Sequence, residues 1–210
     1  MSIPERRRRF SDHCAGLSLV EIIIFIVIVS GAVIGILSVM NVATQGSADP
    51  MVRKQAIAIA ESLLEEIELM PFTWCDPDDT AAATATSSAS CTGGTDGAND
   101  ENAVAAGTLR GPETGASVGG AEGRYASPRF DNISDYNGFA MSSGIQDITN
   151  TTISGLGAYS ATVTITRAGT SPFSLPNAAV LQIDVRVQNT AAGVDITLTG
   201  YRFRYAPTSL

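Results

Sequence analysis

From Leu17 to Met40 the chain reads LSLVEIIIFIVIVSGAVIGILSVM, an apolar run broken by one ionisable side chain, Glu21. As a helix its 24 residues rise about 36 Å, enough to cross a ~30 Å hydrocarbon core. We read it as a transmembrane helix over 17–40. The cluster Arg6-Arg7-Arg8-Arg9 lies ahead of it, and the positive-inside rule keeps such a cluster in the cytoplasm. Everything after the helix is then expected on the far side of the membrane. Other readings of the same segment stay open. A cleaved secretory signal needs a shorter core and a better small-residue flank than Asn41-Val42-Ala43-Thr44-Gln45. A twin-arginine signal would use Arg7-Arg8-Arg9-Phe10. An uncleaved signal anchor would tolerate Glu21 as a charge near the membrane face.

Composition narrows the chemistry. The 210 residues carry 13 basic against 21 acidic side chains, a net charge of -8. Lys54 is the sole lysine, so the chain offers no basic surface for phosphates, and nucleic acid is not expected as a partner. The one histidine is His13, and the three cysteines are Cys14, Cys75 and Cys91. Neither a zinc cage nor a Ser-His or Cys-His pair can be assembled from these, so we expect no catalytic residues, no cofactor and no metal.

Beyond the membrane run, Asp49-Pro50 has the form of a helix N-cap with a first-turn proline. Ala56, Ala60, Leu63, Ile67 and Met70 then recur at helical spacing, with Glu61, Glu65 and Glu68 on another face, which predicts an amphipathic helix over 49–70. Residues 76–123 are dominated by Ala, Gly, Thr, Ser, Asp and Asn and cannot build a core of their own. A β-rich head follows over 124–210. Within it, Asp131 to Gly138 interleaves turn formers with Phe130, Ile133, Tyr136 and Phe139. We read a packed turn there rather than a calcium loop, because Ile133 stands where an EF-hand loop needs an oxygen ligand. Three alternating segments, Tyr159–Arg167, Val180–Gln188 and Asp195–Arg204, read as strands, with 189–193 as a hairpin loop. The fold class expected is α+β, a helix laid on a three-stranded antiparallel sheet.

The residues Ala15-Gly16-Leu17-Ser18-Leu19-Val20-Glu21 close a basic leader with glycine and place a glutamate four residues past the first apolar position. This resembles the class III signal of type IV prepilins, with Leu17 where phenylalanine is usual. The resemblance implies a leader over 1–16, cleavage between Gly16 and Leu17 by the prepilin peptidase, methylation of the new terminus, and a role for Glu21 in docking the amino terminus of a neighbouring subunit. It also implies a type IV pilin-like fold, in which one long N-terminal helix has a membrane half and an amphipathic half packed on the sheet, with Gly46 and Pro50 weakening or bending the junction. The expected partners are other pilins or pseudopilins, the inner membrane and the assembly platform, with the head in the periplasm and later in an extracellular pilus. Loss of the leader removes Cys14, which leaves Cys75 and Cys91 on the oxidising side. A disulfide is then the leading reading, with two free thiols as the alternative.

More finely, Ser47-Ala48-Asp49-Pro50, the Glu61–Glu66 segment, the Phe130 to Gly138 element and Tyr201-Arg202 resemble the D-type minor prepilins of the mannose-sensitive haemagglutinin (MSHA) pilus. The function implied is that of a minor pilin that initiates or modifies pilus assembly and adhesion. A minor pseudopilin of a type II secretion system and a membrane-anchored binding protein that never polymerises are the alternatives.

Overall fold

The computed structural model describes residues 18–93, 100–101, 104–105, 108–109, 111–115 and 120–208. The leader, with Gly16 and Leu17, lies outside the described residues. The chain divides into two compact units, 1–48 and 49–210.

Helical hydrogen bonding is assigned from Leu19 to Glu68 (α1), so it runs through the polar spacer where sequence reasoning begins a second helix. Pro50 sits inside α1. Its ring supplies a helical φ while removing a single N–H, so it can be carried within a helix at the loss of one backbone bond. In the first unit, Leu19–Asn41 has a mean hydropathy of 3.0 and is long and apolar enough to cross a membrane. Its apolar side chains are exposed all round, from Leu19 and Phe25 to Met40. The two hydroxyls in mid-run are satisfied within the helix: Ser30 Oγ donates to the Ile26 carbonyl at 2.6 Å and Ser38 Oγ to the Ile34 carbonyl at 2.9 Å. Neither donor is left bare in a medium without water. The helix is able to anchor the protein in a membrane.

In the second unit, α1 buries Ala56, Ile59, Ala60, Leu63 and Ile67 and exposes Glu61 and Glu65. The apolar stripe read from the sequence is therefore the packed face, with Ile59 added and Met70 half-buried at its end. That face lies against a four-stranded antiparallel sheet of order β5 (Ala140–Met141), β6 (Ser160–Arg167), β7 (Val180–Asn189) and β8 (Val194–Phe203). In β6 and β7 the inward residues Val163, Ile165, Ile183, Val185 and Val187 are buried, as period-two alternation requires. A left-handed Gly193 closes the hairpin between β7 and β8. β5 is the strand the sequence reading misses. It pairs Ala140 with Thr162 and Met141 with Ala161, and two residues are too few to display an alternation.

Gly200 on β8 marks how closely helix and sheet approach. A Cβ there would lie 2.9 Å from a Leu64 methyl and would also collide with the Glu68 carboxylate. The low-complexity segment contributes two short ribbons, β1 (Val104–Ala105) with β2 (Thr108–Leu109), and β3 (Thr114–Gly115) with β4 (Gly120–Ala121). The Asp131 to Gly138 element is a packed 3-10 turn over Ile133–Tyr136, closed at its start by reciprocal hydrogen bonds between Asn132 and Asp135.

Candidate functional site

Glu21 occupies the first turn of α1, exposed and without an ion-pair partner among the described residues. A carboxylate suits the positive end of a helix dipole. On an otherwise apolar segment it remains the group most in need of a partner.

Cys75 and Cys91 are joined in a disulfide with Cα atoms 5.3 Å apart, so the free-thiol alternative is set aside. The bridge nucleates a small satellite core with Ala82, Ala85 and Trp74. Acidic turn residues order the loop it encloses. Asp79 accepts from the Ala81 and Thr92 N–H groups at 2.9 and 2.6 Å and from the Thr92 hydroxyl at 2.8 Å. Burial works to raise its pKa, but these donors outweigh it and hold the carboxyl below its ordinary value.

Deeper in the head lies a cluster with the opposite character. Asp76, Glu101, Glu113, Glu122 and Asp135 are all buried. Local structure delivers each one. Asp76 follows the disulfide, and Glu101 is held where its N–H donates to the Trp74 carbonyl at 3.1 Å. Glu113 and Glu122 flank the β3–β4 ribbon and are bonded to each other through the backbone, the Glu122 N–H to the Glu113 carbonyl at 3.0 Å. Asp135 caps the 3-10 turn: one oxygen accepts from the Asn132 and Asp131 N–H groups at 2.8 and 3.0 Å.

Carboxylate oxygens of Asp76, Glu101 and Glu113 lie within 4.8 Å of one another, as do those of Glu113, Glu122 and Asp135, and those of Asp76, Asp78 and Asp131. At an effective dielectric of 20, two unit charges ~5 Å apart repel by about 3 kcal/mol. Donors that would offset this are scarce. Ser134 Oγ donates to one Glu101 oxygen, but among the described residues nothing donates to the other, to either oxygen of Glu113 or Glu122, or to the second oxygen of Asp76, Asp131 or Asp135. Burial, followed by the charge of Asp135, pushes Glu122 up to about 9. Burial, then Asp76, pushes Asp131 up to about 7. Glu101 and Glu113 are raised as well, first by burial and then by neighbouring acid, Asp135 for Glu101 and Glu101 for Glu113. Chemically the cluster offers oxygen alone, so it can share protons or hold a hard cation. As a contiguous metal loop Asp131 to Gly138 fails, because Ile133 stands in a ligand's place. In the structure Ile133 faces the core, and the other carboxylates come from distant positions in a segment whose composition reads only as loop.

Beside this cluster, Arg124 forms a bidentate pair with Glu66, both bonds at 2.7 Å, and Tyr136 donates its hydroxyl to the same Glu66 carboxylate at 2.7 Å. Burial raises the Glu66 pKa, but the Arg124 and Tyr136 hydrogen bonds outweigh it, and the net shift is downward. Arg124 also borders an apolar groove of about 430 Å³ lined by Ile59, Leu63, Met141, Ile145 and Leu156.

Comparison with protein-family models, with curated proteins and with solved structures finds no match to this chain. A single N-terminal apolar helix followed by an antiparallel sheet is compatible with a pilin-like fold.

Proposed function

We propose that the protein is a minor type IV pilin, a structural subunit rather than an enzyme, and that it initiates or modifies the assembly of an adhesive pilus of the MSHA type. The observation that carries this reading is Glu21, an exposed carboxylate in the first turn of a helix whose apolar surface is unburied all round. Bundling of such helices would cover that surface, and the amino group freed by cleavage after Gly16 would give Glu21 an ammonium partner on the neighbouring subunit. The segments around Asp49-Pro50, Glu61 to Glu66, Phe130 to Gly138 and Tyr201-Arg202 support the D-type assignment through their resemblance. In this reading the prepilin peptidase and methylase process the chain at the inner membrane, and the head faces the periplasm before it reaches the cell surface.

Intact mass of the protein from its native membrane tests the reading. The expected mass is that of a chain starting at methylated Leu17, and retention of Arg6 to Arg9 would overturn it. The Glu21→Ala variant should be cleaved as the parent is, yet incorporate poorly into sheared filaments, and normal incorporation would remove the docking role. If deletion of the protein abolished secretion of other proteins while leaving surface filaments intact, the pseudopilin of a type II secretion system would be the correct reading.

A further inference from the structure

Seven carboxylates, five from the polar 76–122 segment and two from the Asp131 to Gly138 element, converge on one place in the head. The three trios of close oxygens share Asp76 and Glu113, so they form one continuous cluster. Glu101 and Asp135 are fully buried, and Asp76, Glu113 and Glu122 retain at most 8% of their surface. Each directs into the cluster at least one oxygen that has no donor among the described residues. Asp135 is the clearest case: one oxygen is committed to two backbone N–H groups, while its second, unpartnered oxygen belongs to a side chain in the trio with Glu113 and Glu122. Buried polar atoms are almost always partnered, and a chain of buried carboxyl groups without donors calls for a cation or shared protons among them.

We propose that Asp76, Glu101, Glu113, Glu122 and Asp135 form a calcium site that fastens the 76–122 segment to the 3-10 turn of the head. The ligand chemistry selects the ion. All donors are carboxylate oxygens, which disfavours zinc and copper. Magnesium keeps several waters and takes one or two carboxylates in a strict octahedron, whereas calcium accepts six to eight oxygens in flexible geometry. The ligands also come from the places that need fastening: the disulfide end, the residue bridged to Trp74, both feet of the β3–β4 ribbon, and the cap of the turn. A segment too poor in apolar residues to fold by burial would gain its cross-links from the ion. The proposal does not depend on the pilin reading.

The test uses the full chain in detergent micelles, stripped with chelator and titrated with calcium chloride or magnesium chloride. Calorimetry should show calcium binding, and thermal unfolding should shift upward with calcium and far less with magnesium. Terbium should luminesce by energy transfer from Trp74 and be displaced by calcium. Glu113→Gln should weaken calcium binding ~10-fold or more, and Glu122→Gln provides a second variant if the first does not fold. The calcium dependence of the variants' effect is diagnostic. In chelator Glu113→Gln should unfold close to the parent, because burial and Glu101 already hold the Glu113 carboxyl protonated there, whereas in calcium it should unfold at a lower temperature. If calcium shifts nothing and Glu113→Gln matches the parent at every calcium concentration, shared protons hold the cluster and the proposal falls. An equal response to magnesium would overturn the choice of ion.

Discussion

Glu66 is the side chain on which the helix, the Arg124 segment and the 3-10 turn meet, since it receives both arms of Arg124 and the Tyr136 hydroxyl. Glu66→Gln keeps the shape but leaves Arg124, only 8% exposed, beside a neutral partner. Hydrogen bonds to charged groups and the desolvation of the abandoned cation set the loss at about 2 kcal/mol at neutral pH, measurable as a lower urea midpoint. Tyr136→Phe removes one of the three donors and should cost about 1 kcal/mol. Acid provides a check of sign. The folded pKa of Glu66 lies below its ordinary value of 4.5, so its contribution is complete above that value and is lost as pH falls through the folded pKa. The stability gap between parent and Glu66→Gln should therefore be full at pH 7 and shrink toward pH 3; a gap that persists unchanged in acid would contradict the ionic role. Taking the difference between the two proteins removes the titration of the neighbouring buried acids, which both share.

At the scale of elements, the approach of α1 to β8 at Gly200 and the Cys75–Cys91 bridge make separate predictions. Gly200→Val improves the local preference for strand, yet its side chain would enter space held by Leu64 and Glu68. Packing outweighs propensity here, and a loss of about 1–3 kcal/mol is expected in chemical denaturation. Replacing both cysteines by serine should cost roughly 3 kcal/mol for a loop of this size, read as a lower thermal midpoint; an unchanged midpoint would contradict a restriction of the unfolded chain by the bridge. The elements differ in how far they could be read in advance. The stripe Ala56, Ala60, Leu63, Ile67 and the alternation of β6, β7 and β8 state their periods openly, because each has enough residues to repeat. β5 does not, and neither does the continuity of α1 through Pro50, since proline and a polar spacer signal a boundary whenever local chemistry alone is consulted. The carboxylate cluster was the least accessible. Its members are spread between Asp76 and Asp135, and no spacing rule links Glu101 or Glu113 to Asp135 until the chain has folded.

For the whole molecule, the division at residue 48 coincides with a division of labour in burial. Every member of the main core, from Ala56 to Val194, belongs to the second unit, while the apolar side chains of 19–41 are exposed. Residues 49–210 expressed alone should therefore be soluble without detergent and unfold at the same denaturant concentration as the full chain in micelles; aggregation, or a midpoint well below that of the parent, would show that the first unit contributes to the core. The disulfide also bears on the carboxylate cluster. Cys75 stands between Trp74, whose carbonyl holds the Glu101 amide, and Asp76, while Asp100 bridges back to Cys75 itself. The covalent bond thus fixes the datum from which two of the clustered carboxylates are positioned. Reduction of that bond should therefore loosen Asp76 and Glu101 together, so that calcium affinity under the proposal above would depend on the redox state of a bridge that takes no part in coordination.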